Sequence, residues 1–349
     1  MKIKKNTMII GLGNCGCKIT KLFADMGYST MFANGSEQDL KVLGNMKNIY
    51  KLEGYDGFGG HREKAMECLC DNAEFTEALE KIEQKIVILV YAVGGSTGSG
   101  LSVVVAQYLK DVYEDDKIIV TVPVLPKENE AINKHKNAYQ AVQELMSLEG
   151  IGATFFLDNN NCEGKDLKWI NKTFASLLDA FITDDSWGEP NNFDESERLE
   201  MLADPGAMII SYCKDGIEKL LTDNIFAPLQ KDKVCNNVGI IHQDKNDVEI
   251  DTIIAEVGKP LNISEGWGGK CTLIAVSGMS FPVDHIQRLG KLAVDGQKER
   301  QHNIKMAKEQ SLPTLDFNNI EKPKIKNNID KPKLTGRDAL LAMRKKARA

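Results

Sequence analysis

Two short stretches of the chain have residue types and spacings that could do chemistry. The first is a run of glycines and hydroxyl residues at 94–100 (GGSTGSG), which follows an apolar stretch at 86–92. Glycines let the backbone approach an anion closely and direct several N–H groups at it, and Thr97 and Ser99 add hydroxyl donors. A helix is predicted to follow, and its positive end would lie at the same place. The run therefore predicts a phosphate-binding loop.

The second stretch is acidic and lies at 192–197 (NFDESE). Asp194 and Glu197 are three residues apart, so both carboxylates would lie on one side of the start of a predicted helix. Two carboxylates there could orient and polarise a water molecule that attacks a phosphate. The residues alone leave a simpler alternative open, in which Asp194 only caps the helix and the other acidic side chains favour its first turn. Glu200, one turn further, is a weaker candidate.

Two more glycine clusters lie at 11–16 (GLGNCG) and 54–60 (GYDGFGG). The first has the G-x-G-x-x-G spacing of a dinucleotide site, and Glu37 or Asp39 lies about 20 residues further on. This motif is weak by itself, and the chain has no GxxxxGK[ST] pattern of an ordinary P-loop NTPase. Three glycine loops that follow strands of one parallel sheet would meet at its carboxyl edge, where ligands bind.

Short β-branched runs alternate with helical stretches, which predicts an α/β fold with a mostly parallel, Rossmann-like sheet. The predicted strands are 7–12, 29–33, 86–92, 118–122, 153–157, 207–212, 238–242 and 271–276. The predicted helices are 17–26, 61–84, 99–111, 131–147, 167–182, 195–202, 215–221, 252–257 and 283–305. The helix at 167–182 is long and amphipathic, and the elements after about 205 form a second, smaller α/β set.

Charge is distributed unevenly along the 349 residues. The formal net charge is −6, but residues 307–349 hold eleven basic and five acidic residues. Within this tail, 312–333 has the composition of a disordered linker, and 335–349 (TGRDALLAMRKKARA) predicts a short basic amphipathic helix. A basic tail on an acidic body predicts an anionic partner for the tail. A solubilising tail or contact with a membrane surface are the alternatives.

Other features exclude whole classes of protein. The longest apolar run, 86–93, is too short to span a membrane, so we expect no membrane insertion. The eight cysteines include no C-x-x-C pair, which favours reduced thiols and a cytoplasmic location over a disulfide framework or a zinc site.

The run at 94–100 resembles the GGGTG[ST]G motif of the tubulin/FtsZ superfamily, with Ser96 in place of the third glycine. The order of the other loops agrees over about residues 7–300. The basic tail looks most like that of the TubZ branch, which segregates plasmid and phage DNA. Cell-division FtsZ proteins end in an acidic–hydrophobic peptide instead. An FtsZ-like division GTPase is the alternative, and a nicotinamide-dependent oxidoreductase built on 11–16 is a remote one.

The resemblance implies a GTPase that binds GTP or GDP with Mg²⁺ in the bacterial cytoplasm. It implies head-to-tail dynamic filaments, hydrolysis that polymerisation activates, and a DNA-bound, TubR-like adaptor or DNA itself as partner of the tail. It also implies a nucleotide-binding domain (1–165), a core helix with the catalytic synergy loop (166–204), an activation domain (205–306) and a flexible tail (307–349).

Site residues follow from the resemblance by position. Asp194 and Glu197 match the synergy loop N-x-D-x-x-[DE] and would act on the nucleotide of the next subunit. Asn171 would read guanine, and Glu130 would contact the ribose, a role for which Glu128 competes. The full set implied for the nucleotide is Gly13, Asn14, Cys15, Asn34, Gly59, Gly60, Gly94, Gly95, Ser96, Thr97, Gly98, Ser99, Glu130, Asn159 and Asn171.

Overall fold

Buried aliphatic runs form the strands of one central sheet in the computed structural model. The structure describes residues 3–53, 56–162, 164, 166–184, 186, 193–212, 224–243 and 248–309. The predicted helix at 215–221, Asn192 of the acidic stretch and the tail from 310 onwards lie outside the described residues.

The described part of the chain contains eleven strands. They are β1 (Thr7–Leu12), β2 (Ser29–Asn34), β3 (Ile49–Lys51), β4 (Ile86–Ala92), β5 (Ile118–Leu125), β6 (Ala153–Thr154), β7 (Leu157–Asp158), β8 (Gly206–Tyr212), β9 (Asn237–His242), β10 (Asn262–Trp267) and β11 (Leu273–Met279).

Ten α-helices surround these strands in the described ranges. They are α1 (Gly13–Asp25), α2 (Glu37–Leu40), α3 (Arg62–Cys68), α4 (Ala73–Glu80), α5 (Ser96–Tyr113), α6 (Ile132–Met146), α7 (Leu167–Thr183), α8 (Glu195–Ala203), α9 (Ile250–Val257) and α10 (Val283–Glu309).

The strands form one sheet in the order β10-β9-β11-β8-β6-β5-β4-β1-β2-β3, with β7 beside β5. All pairs from β3 to β8 are parallel, and only β11 runs antiparallel to its two neighbours, β8 and β9. The expected α/β class with a mostly parallel sheet and a long helix is confirmed. The division of the chain into four segments stays a prediction.

The predicted helix over 61–84 is wrong as a single element. Asn72 has a non-helical backbone conformation (φ −116°, ψ 67°), which separates α3 from α4. Its side chain donates to the carbonyl oxygen of Cys68 at 2.6 Å, which replaces a helical hydrogen bond. The predicted strand at 153–157 is likewise two short strands, β6 and β7. The short elements α2 and β3 and the half-buried edge strand β10 were not predicted.

The long helix α7 packs against the sheet through aromatic side chains. Phe174 lies 5.5 Å from Phe155 and 6.2 Å from Phe23 between ring centroids, both edge to face. All three rings are fully buried, and each contributes roughly 1.5–3 kcal/mol by burial. This packing fixes α7 against α1 and the centre of the sheet, so the helix positions whatever lies at its two ends.

None of the described helices is both long enough and apolar enough to cross a membrane.

Candidate functional site

The carboxyl ends of β1, β2, β4 and β5 open onto a cavity of about 530 Å³. This volume lies within the range of roughly 300–1,000 Å³ that is typical of small-molecule sites. Of the fifteen residues that the resemblance implies for the nucleotide, twelve line this cavity: Gly13, Asn14, Cys15, Asn34, Gly94, Gly95, Ser96, Thr97, Gly98, Glu130, Asn159 and Asn171.

Two helices begin at this cavity with no side-chain cap in the described structure. The residue before α1 is Leu12 and the residue before α5 is Gly95, and neither side chain accepts a hydrogen bond from its helix. The first N–H groups of a helix lack intrahelical partners, and the helix dipole is positive there. The two helix starts together therefore favour an anion in the cavity.

The glycine loops that begin α1 and α5 are in direct contact. Gly13 has φ +73°, and a Cβ atom there would lie 3.0 Å from the backbone nitrogen of Gly98. A Cβ atom on Gly98 would lie 2.7 Å from the carbonyl oxygen of Ala92. Side chains at these two positions would separate the loops, so glycine is required where both backbones face the cavity.

The other three of the fifteen residues do not line the cavity. Ser99 is fully buried, and its hydroxyl donates to the carbonyl oxygen of Gly95, so it shapes the loop from behind. Gly59 and Gly60 are exposed.

The third glycine loop is nevertheless joined to the glycine loop that begins α5. The buried side chain of Asn137 donates to the carbonyl oxygens of Gly60 at 3.2 Å and Gly94 at 3.4 Å. Asn137 was missed at the sequence level, because an isolated polar residue in a helix carries no signal of what it contacts.

Asp39 connects the first two loops inside the cavity. Its carboxylate oxygens accept from the side-chain amides of Asn14 at 3.1 Å and Asn34 at 3.2 Å. Thr97 donates to the amide oxygen of Asn34 at 3.5 Å, so the hydrogen-bonded chain reaches the fourth loop. In a dinucleotide site the acidic residue would bind the ribose, whereas here both oxygens of Asp39 hold protein amides. Each carboxylate oxygen can accept a second bond, so Asp39 can also serve a ligand in the cavity.

Three lysines also line the cavity and were missed at the sequence level: Lys18, Lys134 and Lys168. Lys134 forms an ion pair with Glu130, and the other carboxylate oxygen of Glu130 accepts from the backbone N–H of Lys127 at 2.8 Å. The spacing of Glu130 and Lys134, four residues apart at a helix start, is the signal that could have found this pair.

Cys15 lies in the first turn of α1 and lines the cavity. Burial raises its pKa to about 11, although nearby Lys18 acts in the opposite direction. At neutral pH a thiol with this pKa is protonated and inert. Cys15 therefore lines the cavity as a small, protonated thiol.

The far side of the cavity is formed by the start of α7 and the turn after β7. Asp166 caps α7 by accepting from the backbone N–H of Lys168 at 2.6 Å. Asn171 lies one turn further along the same helix, and Asn159 begins the turn opposite. Two amide side chains on this side could donate to and accept from the edge of a base.

Asp194 and Glu197 form a capping box at the start of α8. Asp194 accepts from the backbone N–H of Ser196 at 2.7 Å, and Glu197 accepts from the backbone N–H of Asp194 at 3.1 Å. Hydrogen bonds from Glu197 and then from Ser196 lower the pKa of Asp194. Burial and the adjacent Asp194 raise the pKa of Glu197. The capping alternative is therefore realised, while the exposed side chain of Asp194 remains accessible to a further ligand.

Arg198 fixes the segment that leads into α8 and was missed at the sequence level. The side chain is buried and donates to the carbonyl oxygens of Asp184 at 2.7 Å and Phe193 at 3.3 Å. Phe193 is itself fully buried, and its ring would touch any side chain at Gly239. The position of Asp194 is thus fixed by two buried side chains, that of Phe193 directly before it and that of Arg198 one helical turn after it.

The two sets of predicted site residues lie at opposite ends of α7. Leu167 in its first turn lines the cavity described above, whereas Ile182 and Thr183 in its last turn line a second cavity together with Asp194. The helix has 17 residues and is roughly 25 Å long. Within one chain, Asp194 therefore cannot reach the first cavity.

Among the described residues, no cluster of three or more His, Cys, Asp or Glu side chains could hold a metal ion on its own. Asp39 and Thr97 supply a carboxylate and a hydroxyl to the cavity. These oxygen groups fit a Mg²⁺ ion that is bound mainly by ligand phosphates, as is usual for this ion.

Comparison with known proteins agrees with this geometry. Residues 6–164 match the model of the "Tubulin/FtsZ family, GTPase domain". A tubulin-like protein TubZ from Clostridium botulinum C phage is 27% identical over 304 residues, which cover 83% of this chain and 83% of that protein.

Solved structures show the same fold. The tail-truncated TubZ of Clostridium botulinum phage c-st superposes with a TM-score of 0.76 at 26% identity, covering 85% of this chain and 99% of that one. A GTPγS-form protofilament of TubZ from Bacillus thuringiensis serovar israelensis gives 0.71 at 16% identity, covering 88% and 95%. Residues 6–164 of this chain therefore match the GTPase domain of the tubulin/FtsZ family in sequence, and the fold around them matches that of TubZ.

Proposed function

We propose that this chain binds and hydrolyses GTP, assembles head to tail into dynamic cytoskeletal filaments, and serves to segregate plasmid or phage DNA. The observation that carries the proposal is that the nucleotide cavity and the carboxylates of Asp194 and Glu197 lie at opposite ends of helix α7. Helix starts that favour an anion lie at the first end of α7, and carboxylates lie at its other end. A site split in this way is completed only by a second copy of the chain.

The bound nucleotide would lie across the first cavity. Its phosphates would accept from the backbone N–H groups that begin α1 and α5, and Lys134 would add positive charge. Asn171 would bind the edge of guanine, and Glu130 would accept from the ribose. Mg²⁺ held by the phosphates with Asp39 and Thr97 would neutralise charge as it develops on the transferring group.

Hydrolysis would require a neighbouring chain. Asp194 and Glu197 of one copy would enter the nucleotide cavity of the next and orient the attacking water, a positioning role typical of phosphoryl transfer. The contact joins two different surfaces, so it repeats without closing and produces a filament. The protofilament formed by TubZ of Bacillus thuringiensis is a precedent for this geometry in a protein of the same fold.

The basic tail would connect the filament to its cargo. Its excess of Lys and Arg favours a DNA-bound, TubR-like adaptor or DNA itself, with affinity that falls as salt rises. This part of the proposal depends on the sequence alone, because the tail lies outside the described residues.

The test is sedimentation of the pure protein with GTP, GDP, ATP or no nucleotide, with released phosphate assayed in the same tubes. We expect GTP alone to drive pelleting, and phosphate release per chain to rise steeply with protein concentration. The variant Glu77→Ala, which changes an exposed residue of helix α4, is a control and should change neither pelleting nor phosphate release. Phosphate release that is proportional to concentration, without pelleting, would refute assembly-dependent hydrolysis.

A further inference from the structure

Two residues near the start of α10, His285 and Arg288, contact loops of the nucleotide cavity. They are three residues apart and therefore lie on one face of the helix. The Nε2 atom of His285 lies 3.1 Å from the Oδ2 atom of Asp158, and both side chains are almost fully buried, at 4% and 2% exposure. Arg288 forms an ion pair with Glu128 closer to the surface.

The two acidic partners belong to adjacent loops on the base and ribose side of the cavity. Asp158 directly precedes Asn159, and Glu128 lies two residues before Glu130; Asn159 and Glu130 both line the cavity. Asn160 joins the loops, because its side-chain oxygen accepts from the backbone N–H of Glu128 at 2.9 Å while its own N–H donates to Asp158 at 2.9 Å. A single face of α10 therefore holds both loops.

A second contact fixes α10 against the helix that follows the ribose loop. A Cβ atom on Gly290 would lie 2.6 Å from the ring of Tyr139 in α6, and one on Gly296 would lie 2.8 Å from the side chain of Ile132. Such close approach leaves little room for α10 to shift without moving α6. The loops and the helix beside the cavity are thus packed against the same element.

We propose that His285 and Arg288 are positioning residues that hold the loops at 126–130 and 158–161 in the conformation that binds nucleotide. Occupancy of the cavity and docking of α10 are then coupled. Neither side chain contacts the nucleotide, and each acts through an acidic partner. The identity of the ligand rests on the function proposed above. Coupling of this kind is reciprocal, so bound nucleotide also stabilises the docked position of α10.

The two pairs differ in how safely they can be altered. Removing His285 would take away the imidazole beside the Oδ2 atom of the buried Asp158, while Asn160 would still donate to Oδ1. Loss of one partner of a buried carboxylate destabilises a fold. The pair of Arg288 and Glu128 is much more exposed, at 60% and 41%, so its loss should leave the fold intact. Arg288 is therefore the residue to vary first, and His285→Gln, which keeps a polar side chain beside Asp158, is the conservative variant for the buried pair.

The first experiment is hydrogen exchange of the full chain with and without GDP and Mg²⁺. We expect nucleotide to slow exchange at the starts of α1 and α5 and also at residues 283–290 of α10. Helix α9 serves as the control that should not change. Protection at α1 and α5 without protection of α10 would overturn the inference and leave nucleotide binding intact. No protection anywhere would refute nucleotide binding itself, and the inference with it.

The second experiment measures the dissociation constant of a fluorescent methylanthraniloyl-GDP for Arg288→Ala, Glu128→Ala and the double variant. Each single change should weaken binding by about two- to fivefold, and the double variant should be no weaker, because both changes remove one interaction. Lys291→Ala, an exposed cation on the same helix, is the matched control and should bind normally.

Two results would contradict the coupling in this second experiment. One is unchanged affinity in Arg288→Ala. The other is a much larger loss in Glu128→Ala than in Arg288→Ala, which would mean that Glu128 contacts the ribose directly. His285→Gln should bind within about twofold of the native chain, whereas His285→Ala should bind at least tenfold more weakly at temperatures where it remains folded.

Discussion

The starts of α1 and α5 differ from the start of α8 in whether a side chain of the protein accepts from their first backbone N–H groups. At α1 and α5 no side-chain cap is formed in the described structure, whereas α8 begins with a complete capping box from Asp194 and Glu197. A helix start without a protein cap keeps its donors and its positive field available for an external anion. A start capped by carboxylates offers negative charge instead. One chain therefore presents two opposite surfaces, which suit a ligand between two copies.

The largest expected effect separates capping from catalysis at α8. In the variant Asp194→Asn, the amide caps a helix about as well as the carboxylate, but it has no charge with which to polarise water. We expect GTP turnover in pelleted filaments to fall at least about 100-fold. Thermal unfolding should be unchanged. Turnover equal to that of the native chain would reduce Asp194 to a structural cap.

The next effect tests the close contact between the starts of α1 and α5. Gly13→Ala places a Cβ atom 3.0 Å from Gly98 N at a residue with φ +73°. Nucleotide affinity, measured by calorimetry, should fall at least tenfold. Gly27→Ala is the matched control, because Gly27 also has positive φ (+89°) but the described residues place no atom within 4 Å of its Cβ. Equal losses in both variants would mean that backbone strain, rather than the meeting of the two loops, explains the effect.

A smaller effect should be found at the base side of the cavity, beyond the helix starts. Asn171→Ala should reduce the preference for GTP over ATP by about tenfold, because a site that hydrogen-bonds the base discriminates against analogues that lack the partner. Competition with the fluorescent GDP is the measurement. Lys172→Ala, at the exposed neighbouring position, should keep the preference. Full discrimination in Asn171→Ala would remove this residue from the site.

The smallest effect concerns the stability of the α8 cap itself. Asp194→Ala should be less stable than Asp194→Asn by about 0.5–2 kcal/mol in urea unfolding, since alanine cannot cap. The lowered pKa of Asp194 means that its charged form stabilises the native chain above the unfolded pKa of about 3.9. This contribution is lost as pH falls through the lowered folded value. Below about pH 4 the native chain should therefore lose stability relative to Asp194→Asn.

Predictability from the sequence differs between the two surfaces for physical reasons. The strands that position the nucleotide cavity are buried on both faces, so β1 and β4 read as continuous apolar runs, and their loops need glycine. Both signals are local. The polar edge strand β10 has no such signal, because its pairing with β9 makes it a strand. The break at Asn72 has none either, because a side-chain hydrogen bond causes it.

The sequence also does not predict the roles of side chains whose hydrogen-bond partners lie far away along the chain. Arg198 binds carbonyl oxygens of residues 5 and 14 positions earlier, and Asn137 binds loops 43 and 77 positions away. His285 faces Asp158 across more than 120 residues of sequence. A single chain contains no local pattern that reports such contacts, whereas the i, i+3 spacing of Asp194 and Glu197 was visible because both belong to one turn.

The span of α7 between the two surfaces has a consequence for stoichiometry. Each hydrolytic site in the proposed filament would need the cavity of one chain and the carboxylates of the next, so each strand would hold one fewer complete site than it has chains. The chain at one end of a strand would keep its triphosphate, while interior chains would convert theirs. Two copies hold a single complete site, and turnover per chain should therefore depend on filament length, approaching a plateau only in long filaments.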